Sequence, residues 1–369
     1  MKQIKVLHVQ LTDNYGGIEA FLCNVYRNID KSQFHFDFVA SGKAKYQEGL
    51  LYENSQIFYM PSIKNIWAYK KKFNNILDNE YDIVHFHKNS LANDLPIVWA
   101  KKHRTNPKII IHSHNSLPSL NKKTIYLLHN INKYLIKRLP DYKIACSSKA
   151  AKWMFPDVNN VKILFNGIDT NKFKFSNSDR IRIRRQLGIS ENTLLYIHVG
   201  RFSKQKNHEL LIKIFQEIVK QHDDAVLLLL GDGELKKSIL KEVNNNPIIR
   251  RKVLFLGLQR NVSQYLSASD VFILPSLYEG LGIVTIEAQC NGIQGWVSNV
   301  IPEEAFVSSN IKAFPLNASP KKIATRILSK SILLNKHDRS EQYKVITNTE
   351  YCISKTVNNL SKIYKILSK

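Results

Sequence analysis

Short apolar, β-branched runs recur along the chain, separated by longer stretches in which apolar residues return at helical spacing. Run, helix, run is the order that predicts alternating strands and helices, and hence parallel sheets. In the first half the runs place strands at 4–11, 34–40, 56–60, 82–87, 108–114, 142–147 and 161–165. The second half restarts the pattern with TLLYIHVG (193–200), AVLLLLG (225–231), VLFLGL (253–258) and VFILPS (271–276), and a less regular strand is expected near 295–299. Between the halves, NGIDTNKFKFSNSDRIRIRRQLGIS is polar, charged and weakly patterned, the character of an interdomain connection. The pattern therefore predicts an α/β protein of two Rossmann-like domains. The first spans 1–167 and the second 191–345, joined by 168–190, and an amphipathic C-terminal helix in 346–369 packs back toward the first domain.

Composition agrees with this division. A chain of 369 residues exceeds the size at which one core usually splits, and 44% hydrophobic residues supply two cores. Cys23, Cys146, Cys290 and Cys352 are far apart with no C-x-x-C pair, which argues against a disulfide framework or a zinc cluster and fits a reducing cytoplasm. The apolar run of MKQIKVLHVQL is too short for a signal peptide, and no stretch approaches eighteen uninterrupted apolar residues. The expectation is a chain that neither enters nor spans a membrane by itself.

Charge adds a partner class. The net charge is +24, and residues 1–189 carry most of the excess, with 30 Lys+Arg against 14 Asp+Glu. Such a field attracts nucleic acid, anionic lipid or phosphorylated small molecules, and charge alone does not choose among them.

The candidate chemistry lies where open parallel sheets gather ligands, at the carboxyl ends of the strands. In PSLYEGLGIVTIEAQ, Glu279 precedes a glycine-rich turn and Glu287 follows inside a helix, a carboxylate at each end of a site for a hydroxyl-rich ligand. Gly280 and Gly282 allow close backbone approach, and the helix start offers unpaired N–H groups to phosphate oxygens. Strand 193–200 runs into GRFSKQKN, presenting Arg201 and Lys206, cations suited to a diphosphate. Gly231-Asp232-Gly233 forms the next loop, a turn or a cleft lining. Near the start, Gly16 and Gly17 open a helix, either for approach to a phosphate or acceptor or as a tight turn. Neither a G-x-G-x-x-G fingerprint nor a P-loop is present, which removes the main support for a nicotinamide or ATP site.

His112 and His114 share a face of a strand end, as alternation requires, and His85 and His87 repeat the spacing in a setting read as mainly structural. General-base, charge-stabilising and hydrogen-bonding roles stay open for His112 and His114. Metal binding also stays open for them but is weakly supported, because no Asp, Glu or His partner stands at convincing ligand spacing in the sequence. Residues 122–139 plot as an amphipathic helix with Ile125, Leu128, Leu135, Ile136 and Leu139 on one side and Lys122, Lys123, Lys133 and Lys137 on another. It reads as an ordinary surface helix or as one that lies on anionic lipid, where each cation is worth about 1 kcal/mol.

Taken in order, GGIEAF, HSHNS, NGID, GRFSKQKNHELLIKIF, LLLLGDGE, VLFLGL and DVFILPSLYEGLGIVTIEAQ resemble the retaining glycosyltransferases of family four, with the GT-B fold of two Rossmann-like domains facing across a cleft. The details are most similar to the branch that builds bacterial exopolysaccharide or capsule. The resemblance implies that Arg201 and Lys206 bind the donor diphosphate, Glu287 the ribose hydroxyls and Glu279 the donor sugar. Gly17, Gly231, Gly280, Leu281 and the amides around Gly282, Ile283 and Val284 complete the donor side. His114 would face the reacting sugar, with Gly16, Gly17 and His112 on the acceptor side. The implied partners are a nucleotide sugar, a UDP-sugar foremost, and a lipid-linked or oligosaccharide acceptor at the inner face of the plasma membrane, with no cofactor or metal and no nucleic acid. Two carboxylates also suit a double-displacement glycosidase, but the resemblance assigns both to donor binding. The chain departs from the family at Gln294-Gly295, where a Pro-Val is usual, a change expected to loosen or reshape the donor-site wall. A GT-B sugar-nucleotide epimerase and, more remotely, a basic nucleic-acid-binding protein are the competing classes; the latter lacks a recognisable RNA or DNA module.

Overall fold

The computed structural model describes residues 2–13, 16–50, 55–115, 123–330 and 336–369. The chain forms two compact units, Met1–Gly167 with Ile353–Lys369, and Ile168–Cys352.

In the first unit seven strands form one parallel sheet: β1 (Ile4–Leu11), β2 (Phe34–Ala40), β3 (Ile57–Tyr59), β4 (Ile83–Lys88), β5 (Lys108–Ser113), β6 (Tyr142–Ala145) and β7 (Lys162–Ile163), in the order β3-β2-β1-β4-β5-β6-β7. Alternation along these strands sorts side chains onto two faces. Val6, Ile83, Ile110 and Ile144 pack with the helices Gly17–Asn28 and Ile353–Leu367. Leu7, Val84, Phe86, Ile109 and Ile111 meet Phe73, Ile76, Ile97 and Met154 on the opposite face. The last helix belongs here because Ile353, Val357, Leu360, Ile363 and Tyr364 recur at helical spacing and are all buried. Each such side chain contributes about 1.5–3 kcal/mol on burial.

The second unit carries β8 (Leu194–Val199), β9 (Ala225–Leu230), β10 (Val253–Gly257), β11 (Val271–Leu274), β12 (Gln294–Ser298) and β13 (Ile311–Phe314), again all parallel, in the order β10-β9-β8-β11-β12-β13. Both sheets reverse direction of growth once, between β1 and β4 and between β8 and β11. Those reversals are where an open sheet leaves room for a ligand beyond its strand ends.

Three expectations change. The stretch 168–190 is no bare connection: it forms helices Thr170–Phe173 and Asn177–Leu187 inside the second unit. Two of its cations, Arg180 and Arg184, are buried, while Lys172, Lys174, Arg182 and Arg185 are exposed. Arg184, 1% exposed, donates to Asp270 Oδ2 at 2.6 Å and to the Ala268 and Thr193 carbonyls, while Arg180 pairs with Asp270 Oδ1 at 2.9 Å. Residues 294–298, expected as a less regular strand near 295–299, form a regular and fully buried interior strand. Gly295 makes that possible, since a Cβ there would approach Phe272 Cδ1 to 3.2 Å and collide with Ile311 Cδ1. Finally β13 was not legible, because IKAF is short and carries no alternation of its own.

Candidate active site

In the second unit, β8 ends at Val199 and hands the chain to Gly200, Arg201 and a short turn at Lys204–Lys206. β11, its neighbour across the reversal, ends at Leu274 and leads through Ser276 to Glu279. Adjacent strand ends thus bring the two loops together. Lys206 Nζ lies 2.5 Å from Glu279 Oε1, Ser276 Oγ donates to the same oxygen at 2.7 Å, and Gln205 Nε2 donates to Oε2 at 3.3 Å. Glu279 is buried, and this ring of donors satisfies its oxygens. Arg201 points outward and meets Glu234 at 3.3 Å.

Gly282, at φ +73°, turns the chain into the helix Ile283–Asn291. No side chain caps that start, and the first-turn amides at Ile283 and Val284 have no intrahelical partner by position. Seven of the nine helix residues are buried; only Ile283 and Glu287, one turn apart on one face, are partly uncovered. The helix therefore presents one open row, running from its N-terminus to Glu287. Because the helix begins at Ile283, Glu287 lies on its second turn. Burial pushes the Glu287 carboxyl up to about 7, an effect the nearby Lys172 opposes.

The Gly231-Asp232-Gly233 loop is a close-packed turn. Gly231 has φ +139° and a Cβ would strike the Gly200 carbonyl, while one on Gly233 (φ +155°) would lie 2.6 Å from the Phe202 carbonyl. Glycines here let two strand-end loops lie backbone against backbone.

In the first unit, Gly16 and Gly17 open the helix Gly17–Asn28. Glu19 organises that loop from below, accepting from Gly16 N at 3.0 Å, Thr12 N at 3.2 Å and Thr12 Oγ1 at 2.8 Å. A Cβ on Gly17 would meet nothing within 4 Å, so the backbone there is open on that side. The histidines form a larger array than their spacing in the sequence indicates. Parallel register sets His8 beside His85 and His87 beside His112, on the face that carries Val6 and Ile83. His112 is fully buried under Phe21, its ring 5.1 Å away, and His114 follows it, tilted by 34° with centroids 4.0 Å apart and partly uncovered. His8 Nδ1 and His87 Nε2 are 3.0 Å apart, His87 Nδ1 and His114 Nε2 2.9 Å, and Tyr364 of the last helix bonds His85 at 2.8 Å. Burial holds all five rings neutral: His8 and His114 are lowered to about 3, and His85, His87 and His112, also pushed by their histidine neighbours, lie well below the ordinary value.

The basic helix is Lys123–Leu135, and Lys122 lies outside the described residues. Its inward contacts are not the expected leucines. His129 is buried, stacked on Trp153 and bonded to the Leu91 amide and the Trp153 carbonyl, and Ile136 follows it inward. Leu128 and Leu135 are exposed with Tyr126, Leu127, Ile131 and Tyr134, flanked by Lys123, Lys133 and Lys137. Among the described residues no helix is long and apolar enough to cross a membrane.

Comparison with known proteins decides what this architecture belongs to. The family model described as Glycosyltransferase Family 4 matches residues 15–172, and that described as Glycosyl transferases group 1 matches residues 179–346. The chain belongs to these glycosyltransferases. It is 28% identical to the Bacillus subtilis glycosyltransferase EpsF over 99% of this chain and 97% of that protein. It is 24% identical to an Escherichia coli UDP-Gal:alpha-D-GlcNAc-diphosphoundecaprenol alpha-1,3-galactosyltransferase, over 85% of this chain and 84% of the relative. Among solved structures, Anabaena HepE in complex with UDP and glucose superposes with a TM-score of 0.80 at 17% identity, covering 98% of this chain and all of that one. WaaG, a glycosyltransferase involved in lipopolysaccharide biosynthesis, gives 0.72 at 15% identity over 98% and 99%. The fold of the glycosyltransferase is thus of GT-B type.

Within the glycosyltransferase, sequence reasoning found Glu279, Glu287, Arg201, Lys206 and Gly282, and the second unit gathers them around the β8–β11 reversal. It missed Ser276 and Gln205, which hold Glu279, Lys172 near Glu287, and Glu19 beneath the glycine pair. Short polar residues carry no periodic signal, and their roles arise only when strand ends meet. His8 was missed because a single histidine in a strand reveals nothing of its neighbours.

Proposed function

We propose that this glycosyltransferase moves a sugar from a UDP-sugar to a hydroxyl of a lipid-linked saccharide, with retained anomeric configuration and without a metal, in exopolysaccharide or capsule assembly. The observation that carries this reading is the open row of the helix Ile283–Asn291. Its free amides and Glu287 lie on one face, while Lys206 and Glu279 pair at the end of the adjoining strands. Phosphate suits the amides and cations, and sugar and ribose hydroxyls suit the carboxylates. The UDP and UDP-glucose held by HepE, and the undecaprenol-linked acceptor in the name of the Escherichia coli relative, support the donor and acceptor classes.

In this mechanism Arg201, Lys206 and the amides of Ile283 and Val284 bind the diphosphate, Glu287 the ribose and Glu279 the sugar hydroxyls. The acceptor oxygen attacks the anomeric carbon on the face the diphosphate leaves. The bond from that carbon to the phosphate oxygen breaks, and the departing phosphate oxygen takes the acceptor proton. Cations and amides neutralise the leaving group, the role a metal fills elsewhere. Gly16, Gly17 and His114 serve the acceptor side. The exposed apolar row of Lys123–Leu135, flanked by lysines, suits a peripheral position on the anionic inner face of the membrane, where the acceptor lipid resides.

Transfer from a panel of UDP-sugars, with excess EDTA and anionic vesicles carrying lipid-linked saccharide, tests the reading. Wild type transfers sugar, and Glu279→Ala and Arg201→Ala each abolish transfer with the fold intact; full transfer by both variants sinks the site assignment. Vesicle binding that weakens with salt and on neutralising Lys123, Lys133 and Lys137 supports the membrane role, and unchanged binding by that variant refutes it.

A further inference from the structure

The loop that carries Lys206 is closed by rings that no step of the proposed transfer uses. It leaves β8 at Gly200 and ends at Asn207, φ +55°, where the helix His208–Gln221 begins. Phe202 near its start and His208 just past its end are both 1% exposed, and their rings stack at 4.1 Å and 17°. His208 also meets His198 of β8 edge to face, at 4.6 Å and 76°. On its other side Phe202 lies on Phe255 of β10 at 5.9 Å. The rings form a column that ties both ends of 203–207 to the sheet.

The column is anchored on the strand that leads to Glu279. His198 Nδ1 lies 2.9 Å from the Ile273 carbonyl of β11; a carbonyl only accepts, so this nitrogen carries the proton. Burial keeps His198 and His208 neutral, the first well below the ordinary value and the second at about 4, and the charge of Lys206 pushes both the same way. Lys206 runs along this wall. A Cβ on Gly200 would come within 3.2 Å of Lys206 Cγ and Cδ and 3.1 Å of His198 Nε2, so the stem lies against bare backbone beside the histidine. From there Nζ reaches Glu279 at 2.5 Å, with the Lys206 side chain 16% exposed.

Neither ring nitrogen of His208 has a partner among the described residues. His208 therefore acts through its flat ring, and phenylalanine in its place keeps the stack while removing an unpaired N–H. We propose that Gly200, Phe202 and His208 are positioning residues: the stack closes the loop, and the bare glycine gives Lys206 its path to Glu279 and to the diphosphate of a nucleotide sugar. The diphosphate rests on the proposed transferase reading; the placement of Lys206 does not.

Two readouts on the full chain test this, the first without ligand. Under limiting acetic anhydride, mass spectrometry gives the acetylation of Lys206 relative to the exposed Lys237. Paired and largely covered, Lys206 should react slowly in wild type. His208→Ala and Gly200→Ala, with folds checked by circular dichroism, should each raise the ratio, and His208→Phe should leave it at the wild-type level. In UDP titration His208→Ala should weaken binding about ten-fold, as for a misplaced charge-assisted bond. In a Lys206→Ala background it should add no further loss, because residues that act through one another are not additive. Ordinary core packing predicts instead lower stability, an unchanged ratio and additive losses. An unchanged ratio in either folded alanine variant, a His208→Phe that behaves as His208→Ala, or additive losses would each overturn the proposal. If His208→Ala does not fold, Gly200→Ala and His208→Phe decide. A wild type that binds no UDP while the acetylation pattern holds would count against the transferase reading and leave the placement of Lys206 intact.

Discussion

Acid should unfold the first unit well before carboxylate chemistry does. The perturbation is a drop from pH 7.5 to 5.5. His8, His85, His87 and His112 are fully buried, His114 is mostly so, and all five stay neutral in the fold far below the ordinary histidine value of 6.5. In the unfolded chain the same five take up protons near 6.5. With folded values depressed, stability is full above 6.5 and is lost as pH falls toward about 3. Each proton taken up only by the unfolded chain costs about 1.4 kcal/mol per pH unit. At pH 5.5, one unit below 6.5, five histidines withdraw about 7 kcal/mol, which is comparable with the whole stability of a domain at roughly 5–15 kcal/mol. The second unit has fewer such groups, His198 and His208, and Glu287 works in the opposite direction. Urea denaturation at several pH values, with hydrogen-exchange mass spectrometry reading peptides from β1, β4 and β5, separates the two units. The expected result is a steep fall in protection of those strands below pH 6.5 and a shallower slope in His8→Phe. Equal protection at pH 7.5 and 5.5 would refute the reasoning.

Two further outcomes follow from buried charges in the second unit. Glu287→Gln should weaken donor binding yet stabilise the ligand-free protein at pH 8 by about 1–2 kcal/mol, discounted for its partial exposure, with no gain at pH 4.5. The sign follows from a folded value raised to about 7, which makes stability fall as pH rises from 4.5 through 7; thermal unfolding at the two pH values reads it. Arg184→Ala should cost about 3–5 kcal/mol in urea, because it strips one bond to Asp270 Oδ2 and four carbonyl bonds from a buried network; a loss below 1 kcal/mol would contradict the burial account of that helix.

Much of the fold was legible, for identifiable reasons. Eleven strands announced themselves as apolar runs closed by glycine, proline or polar residues, a twelfth, QGWVS, only as a less regular strand, and parallel pairing followed from the helices between them. The thirteenth, IKAF, was too short to announce itself. Residues 168–190 misled because arginines such as Arg184 usually mark solvent, and only Asp270, far along the chain, reveals that they are inside. The residues proposed to hold the donor were readable because phosphate and sugar chemistry call for cations, glycines and carboxylates at strand ends. What holds them was not: Ser276 beneath Glu279 and Glu19 beneath Gly16 look like any other polar residues until the loops close. Likewise Leu128 and Leu135 plotted as a core face, whereas His129 takes the inward place through its stack on Trp153.

The account's central claim is that the second unit grips a nucleotide diphosphate with Arg201, Lys206 and the row from Gly282 to Glu287. Calorimetric titration of UDP into the full chain, with EDTA present, tests it most directly. One site per chain is predicted, weakened at least ten-fold in Arg201→Ala and in Lys206→Ala, as the loss of a charge-assisted bond worth about 1.5–3 kcal/mol requires. No UDP binding by wild type, or binding of equal strength in both folded variants, would contradict it.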